Sequence, residues 1–165
     1  PKPQQVPDQI TKVGVFVDAD VIKIENAIEN YKLGAVQLHG NESPGLCREL
    51  QGKIQVIKAF GISEGFDFDT LIDYLPYCDF FLFDTKGTLP GGNGTTFDWA
   101  ILEKYTFDLP FFISGGIGLA EVDKINELRN TDLPLYAIDI NSKFETAPAL
   151  KDAEQLKEFK DKLSL

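Results

Sequence analysis

Residues 35–60 read AVQLHGNESPGLCRELQGKIQVIKAF, and the fold turns on how this stretch divides. AVQLH (35–39) is a short β-rich run. SPGLCREL (43–50) follows it, with Ser43 suited to cap a helix and Pro44 to fill the first helical position. IQVIKAF (54–60) is β-rich again. Two strands joined through a helix run parallel, because a hairpin cannot supply that crossover, so the stretch predicts a βαβ unit.

The alternation continues in both directions. Upstream lie VGVFV (13–17) and VIKIENAIENYK (21–32), whose Val21, Ile24 and Ile28 share one helical face. Downstream, IQVIKAF is followed by FDFDTLIDYL (66–75), FFLFD (80–84) by FDWAILEKY (97–105), FFISG (111–115) by LAEVDKINELRN (119–130), and LYAIDI (135–140) by KDAEQLKEFKDKL (151–163). These are six βα units. Runs that are apolar throughout, such as FFLFD, fit parallel strands covered on both faces. The opening PKPQQVPDQITK is rich in proline and has no apolar period, so residues 1–12 read as a poorly ordered lead-in to one domain over 13–165.

Two α/β architectures compete, a doubly wound open sheet and a TIM (β/α)8 barrel. The first wants G-x-G-x-x-G after its opening strand, where this chain has DADVIK, so the barrel is favoured. A full barrel takes about 250 residues and rarely fewer than about 200. A chain of 165 residues therefore predicts an incomplete barrel, short of two strands.

Composition narrows the partners. Sixteen Lys and Arg against 26 Asp and Glu, a net charge of -10, exclude general affinity for nucleic acid or anionic membranes. No apolar run approaches membrane-spanning length and no signal-peptide pattern opens the chain, which makes the cytoplasm the expected location. The two cysteines, Cys47 and Cys78, have no metal-ligand spacing and read as packing residues.

In either architecture the active site lies at the carboxyl ends of the strands. The polar residues there are Asp18 and Asp20, then His39-Gly40-Asn41-Glu42, Lys58, Asp84-Thr85-Lys86, Ser114-Gly115-Gly116, and Asp139 through Ser142. In FISGGIG (112–118) a glycine pair separates a strand end from a helix start, which is either a tight turn or an anion site of bare amides. The neighbouring DINS adds further amides and a hydroxyl, and favours the anion. Asp84 ends the most apolar strand, where desolvation favours the neutral acid, although capping a turn or pairing with Lys86 is an equal reading. His39 is the sole histidine and reads more readily as a hydrogen-bonded structural residue than as a base, a balance that its place at a strand end before Gly40 shifts only modestly.

VGVFV, AVQLHGNES, VIKAF, LFDTK, LPGGNGTTFDW, ISGGI and AIDINSKFE with PALKD stand in the order and spacing of the phosphoribosylanthranilate isomerase family, which the chain resembles from about residue 12 to its end. The resemblance implies a (β/α)8 barrel and an Amadori rearrangement in tryptophan biosynthesis, N-(5-phosphoribosyl)anthranilate going to the aminodeoxyribulose phosphate with no metal and no cofactor. It implies Asp84 as general acid on the ribose ring oxygen. Gly115, Gly116, Asn141 and Ser142 would hold the phosphate by backbone amides, and His39 and Asp139 would face the substrate. LPGGNGTTFDW, with Gly91, Gly92 and Gly94, looks like a lid over the pocket, anchored by Phe97 and Trp99.

The family's general base, a cysteine in K-x-C-G, and its substrate-binding arginine have no match in this sequence. The expectation is therefore that strand one, helix one and strand two are absent and that residues 1–165 alone are inactive. Lys143 and Ala149 also stand where the family commonly has glycine. The alternatives are another phosphosugar barrel, such as indole-glycerol-phosphate synthase or ribulose-phosphate epimerase, and a phosphate-binding fragment without catalysis. Open edges at VGVFV and LYAIDI would invite self-association.

Overall fold

The computed structural model describes residues 6–7, 9–85 and 98–163. Six parallel strands form one sheet: β1 (Val13–Phe16), β2 (Ala35–Leu38), β3 (Gln55–Ile62), β4 (Phe80–Thr85), β5 (Phe111–Ile113) and β6 (Leu135–Ile138). Their spatial order is their sequence order. A doubly wound sheet reverses its strand order part-way, so this sequential winding is the incomplete TIM-barrel arrangement that the sequence predicts.

Four α-helices accompany the strands: α1 (Val21–Tyr31), α2 (Pro44–Leu50), α3 (Val122–Arg129) and α4 (Ala153–Lys162). After β3 and β4 the expected helices shrink to 3-10 turns at Phe68–Leu71 and Trp99–Lys104. A small antiparallel hairpin, β7 (Glu145–Ala147) with β8 (Leu150–Lys151), precedes α4 and has no counterpart in the sequence reading.

The chain divides into two compact units, residues 1–60 with 69–81 and residues 61–68 with 82–165. In the first, Asp20 starts α1 by accepting a bond from the Lys23 amide at 2.8 Å, and Lys32 ends it at φ 51°. Ile24, Val36, Leu38, Leu50 and Val56 are completely buried and hold the helices against the strands. Phe60 meets Tyr74 and Phe81 edge-on at centroid distances of 5.2 and 5.3 Å. Pro44 opens α2 as expected, but the Ser43 side chain makes no capping bond.

The second unit has an aromatic core. Phe83 packs against Phe111 at 5.0 Å, Tyr105 at 5.3 Å and Phe68 at 5.9 Å, while Phe144 packs against Phe159 at 5.0 Å. Trp99, the only tryptophan, is buried at the start of its 3-10 turn, which Asp98 caps through the Ala100 amide. Ala149, in the β7–β8 hairpin, adopts φ 63°, the left-handed region that glycine fills most easily.

The expected absence of a first strand, first helix and second strand is overturned. The described chain opens with β1, α1 and β2 across residues 13–38, and β1 pairs in parallel with β2 from Val13↔Ala35 to Phe16↔Leu38. The reason is local: a β-rich run, a capped amphipathic helix and a second buried run are sufficient to make these elements, whatever strand number is given to them by counting from family motifs.

Candidate functional site

The first unit gathers Asp18, His39, Gly40, Asn41, Glu42 and Lys58 at strand ends. Glu42 and Lys58 are 5% and 2% exposed and lie 3.2 Å apart as an ion pair. Glu42 accepts from the Gly40 amide with both oxygens (2.9 and 3.1 Å) and from the Asp18 amide at 2.9 Å. Lys58 donates to the carbonyls of Leu38 (3.1 Å), Gly40 (2.9 Å) and Ala59 (2.9 Å). Asp18 holds φ 49°, which an aspartate tolerates, and its Oδ1 accepts from the Asn41 amide at 2.6 Å.

Glycine is required at position 40. A Cβ there would lie 2.5 Å from Asp18 Oδ1 and 2.7 Å from Asp18 N. His39 is half-buried, donates its backbone amide to Phe16 O at 2.8 Å, and sits with Nδ1 2.7 Å from Gln37 Nε2. Asp20, one of the acidic residues in the sequence-read ring, is an α1 cap.

Cys47 and Cys78 meet inside the same unit and are buried. Their mutual hydrogen bond is the chief cause that lowers the Cys47 thiol below its ordinary range and raises Cys78 above it, burial adding to the rise. Neither cysteine is at a strand end.

In the second unit β4 ends in Asp84, half-buried, whose Oδ1 accepts from the Thr85 amide at 2.8 Å. The loop after β5 lies against it. Gly115 and Gly116 hold φ 90° and 65°, and a Cβ on Gly115 would fall 2.5 Å from both Asp84 Oδ1 and Thr85 Oγ1. Ser114 donates its amide to Phe83 O and its hydroxyl to Asp139 Oδ2 at 2.9 Å, which ties the ends of β4, β5 and β6 together. Among the described residues, the amides of Gly115, Gly116, Asn141 and Ser142 donate to no protein acceptor. The Gly118 amide is already taken by Glu121 Oε2 at 2.7 Å.

The structure therefore brings the expected acid and the expected glycine pair together, with Asp139 fixed by Ser114. It also adds Lys151, which donates to Asn141 O at 3.0 Å and to Asn141 Oδ1, and pairs with Glu145 at 2.7 Å. Sequence reasoning missed Lys151 because a lysine in a polar segment carries no signal of its own. Gly91, Gly92 and Gly94, the expected lid, lie outside the described residues, as do Lys86 and Phe97. No group of three or more His, Cys, Asp or Glu among the described residues is placed to hold a metal.

Sequential parallel winding, with polar groups gathered at the carboxyl ends of the strands, defines the class: a β/α-barrel enzyme. The family follows from comparison. The sequence profile of N-(5'-phosphoribosyl)anthranilate isomerase matches residues 3–162, and the chain belongs to that family. The match over nearly the whole chain is the second finding against absent opening elements.

Among its relatives, the N-(5'-phosphoribosyl)anthranilate isomerase of Parabacteroides distasonis is 45% identical over 90% of this chain and 66% of its own length. That of Phocaeicola vulgatus is 39% identical over 92% and 73%. The crystal structure of the isomerase from Thermotoga maritima superposes with a TM-score of 0.82 at 34% identity, covering 96% of this chain and 75% of that one. A second, in complex with reduced 1-(o-carboxyphenylamino)-1-deoxyribulose 5-phosphate, gives 0.79 at 30%, covering 97% and 74%. The chain thus spans two thirds to three quarters of the length of these relatives. Isomerase chemistry of the aldose–ketose type, in tryptophan biosynthesis, is what this membership carries.

Proposed function

We propose that this family member rearranges N-(5'-phosphoribosyl)anthranilate to 1-(2-carboxyphenylamino)-1-deoxyribulose 5-phosphate, with Asp84 as general acid. The observation that carries the assignment is the seating of the Gly115 backbone against the Asp84 carboxylate, which puts an acid and unsatisfied amides on adjoining strand ends. Four such amides, at Gly115, Gly116, Asn141 and Ser142, suit the oxygens of a phosphate dianion. Asp139, held by Ser114, and His39, held by Gln37, are the side chains assigned to the substrate.

The chemistry follows. Asp84 gives its proton to the ribose ring oxygen as the bond from that oxygen to C1' breaks, and the anilino nitrogen lone pair closes a C=N bond. The C2' proton then passes to a general base, the part the resemblance gives to the family's K-x-C-G cysteine, leaving an enaminol. That base returns the proton to C1', and the C2' hydroxyl proton leaves for solvent, from which Asp84 regains its own, so that the ketone remains.

In residues 1–165 supplied with a segment carrying the family's K-x-C-G cysteine, Asp84→Asn should lower kcat by the ~10²- to 10⁴-fold typical of losing an acid–base group, with a smaller change in KM, read from product formation. Near-normal turnover in this variant rejects the assignment. The cytoplasm is the proposed location: among the described residues no helix is long and apolar enough to cross a membrane. Self-association through β1 and β6 is also proposed, because Val13, Val15 and Val17 are 42–66% exposed and Tyr136 is 65% exposed. A sedimentation coefficient that stays monomeric at high concentration removes that proposal.

A further inference from the structure

We propose that Glu42 and Lys58 are positioning residues for His39: the buried pair locks the peptide groups on either side of His39 and so fixes where its imidazole is presented to the substrate. The inference rests on the reading above that His39 faces the substrate, and it goes beyond that reading by assigning work to two residues that touch no substrate.

The three consecutive peptide groups around His39 and Gly40 are each pinned from both ends or by a charge. In the first, Leu38 O accepts from Lys58 Nζ at 3.1 Å while the His39 amide donates to Phe16 O at 2.8 Å. In the second, the Gly40 amide is held by both Glu42 oxygens. In the third, Gly40 O accepts from Lys58 Nζ at 2.9 Å while the Asn41 amide donates to Asp18 Oδ1 at 2.6 Å. Fixing these planes fixes φ and ψ at His39, because a planar peptide leaves only those two rotations. Gln37 Nε2 then orients the ring.

The arrangement is costly for a purely structural role. Two ions removed from water lose hydration that their mutual attraction alone seldom restores, and an apolar pair of similar volume often serves stability as well. What an apolar pair cannot do is accept from the Asp18 and Gly40 amides and donate to the carbonyls on both sides of His39. Tyr74 closes the arrangement by donating its hydroxyl to Glu42 O at 3.1 Å.

His39 is the only histidine, so its ring gives a single set of NMR signals that needs no assignment by elimination. Three samples are compared: the parent, Glu42→Gln, and the double variant Lys58→Met/Glu42→Leu, in which loss of the pair leaves no buried orphan charge and the fold is retained. Reduced 1-(o-carboxyphenylamino)-1-deoxyribulose 5-phosphate is titrated into each, and inorganic phosphate separately.

In folded variants the His39 ring signals should move without ligand, and half-saturation by the reduced compound should need at least about tenfold more of it, within the range that a small misplacement of a binding group costs. Inorganic phosphate should bind as in the parent. A purely structural pair would lower Tm and leave the folded His39 signals where they were, so unmoved ring signals in either folded variant overturn the proposal. In the parent itself the Asp18 and Gly40 amides should exchange slowly with deuterium, and fast exchange at both overturns it whether or not a variant folds. Failure of the parent to bind inorganic phosphate counts instead against the phosphate reading at Gly115 and Gly116.

Discussion

The strand ends of the two units solve the same problem by opposite means. In residues 39–42 the backbone is tied down: the amides of His39, Gly40 and Asn41 and the carbonyls of Gly40 and Glu42 all have partners, and the buried Glu42 and Lys58 supply those of Gly40. At 115–116 the backbone is shaped by left-handed glycines, and there and at 141–142 the amides donate to no protein acceptor among the described residues. The first arrangement suits a side chain that must be held still. The second suits an anion that must be gripped by the main chain itself. One polar ring in the sequence thus contains one segment built for rigidity and one built for vacancy.

The strongest way to break the contrast is to remove half of the buried pair. Lys58→Met alone leaves Glu42 uncompensated and should cost about 3–5 kcal/mol, while adding Glu42→Leu should recover most of it, as read by urea denaturation. If the single and double variants lose equal stability, the pair is not the source of the rigidity. Next comes Gly115→Ala, which meets two close contacts as well as an unfavourable φ; about 1–3 kcal/mol is expected from the backbone conformation alone, together with loss of phosphate binding. Gly65→Ala is its control, with φ 82° but nothing within 4 Å, so it should pay the conformational part without the contact.

Alkaline titration sharpens the comparison with a smaller effect. Burial raises Tyr74 in the first unit and Tyr105 in the second above the ordinary tyrosine range. The folded state therefore resists ionisation that the unfolded chain accepts near ~10. Stability from both is complete below that pH and is lost as pH rises towards the folded values. Absorbance at alkaline pH should show two of the five tyrosines titrating late, in step with unfolding. The smallest effect is at Ala149. Replacing it with glycine relieves a left-handed φ of 63° and should raise stability by about 0.5–1 kcal/mol, unless the unfolded chain's added freedom cancels the gain.

The sequence shows the strands clearly because buried parallel strands need apolar runs, and FFLFD or AVQLH can serve little else. The segments after β3 and β4 misled because DTLIDYL and WAILEKY have helical spacing, yet each is followed within a few residues by Pro76 or Pro110, and only 3-10 turns form. Counting strands against a family pattern was the weaker guide, as β1, α1 and β2 show. At the site, Asp84 and the glycine pair are legible because a strand end and a φ above zero each favour particular residue types. The meeting of Glu42 with Lys58 is not. Both stand in the sequence-read ring, but nothing in a one-dimensional order says that residues sixteen apart share one buried ion pair.

Trp99 lies in the second unit and His39 in the first. The chain's single indole is buried in that unit, so intrinsic fluorescence excited at the indole band reports its unfolding rather than that of the other. A melt followed by fluorescence and by the His39 signal in parallel therefore asks whether the two units unfold as one cooperative transition. Coincident midpoints would make any substitution at one set of strand ends a thermodynamic event for the whole chain.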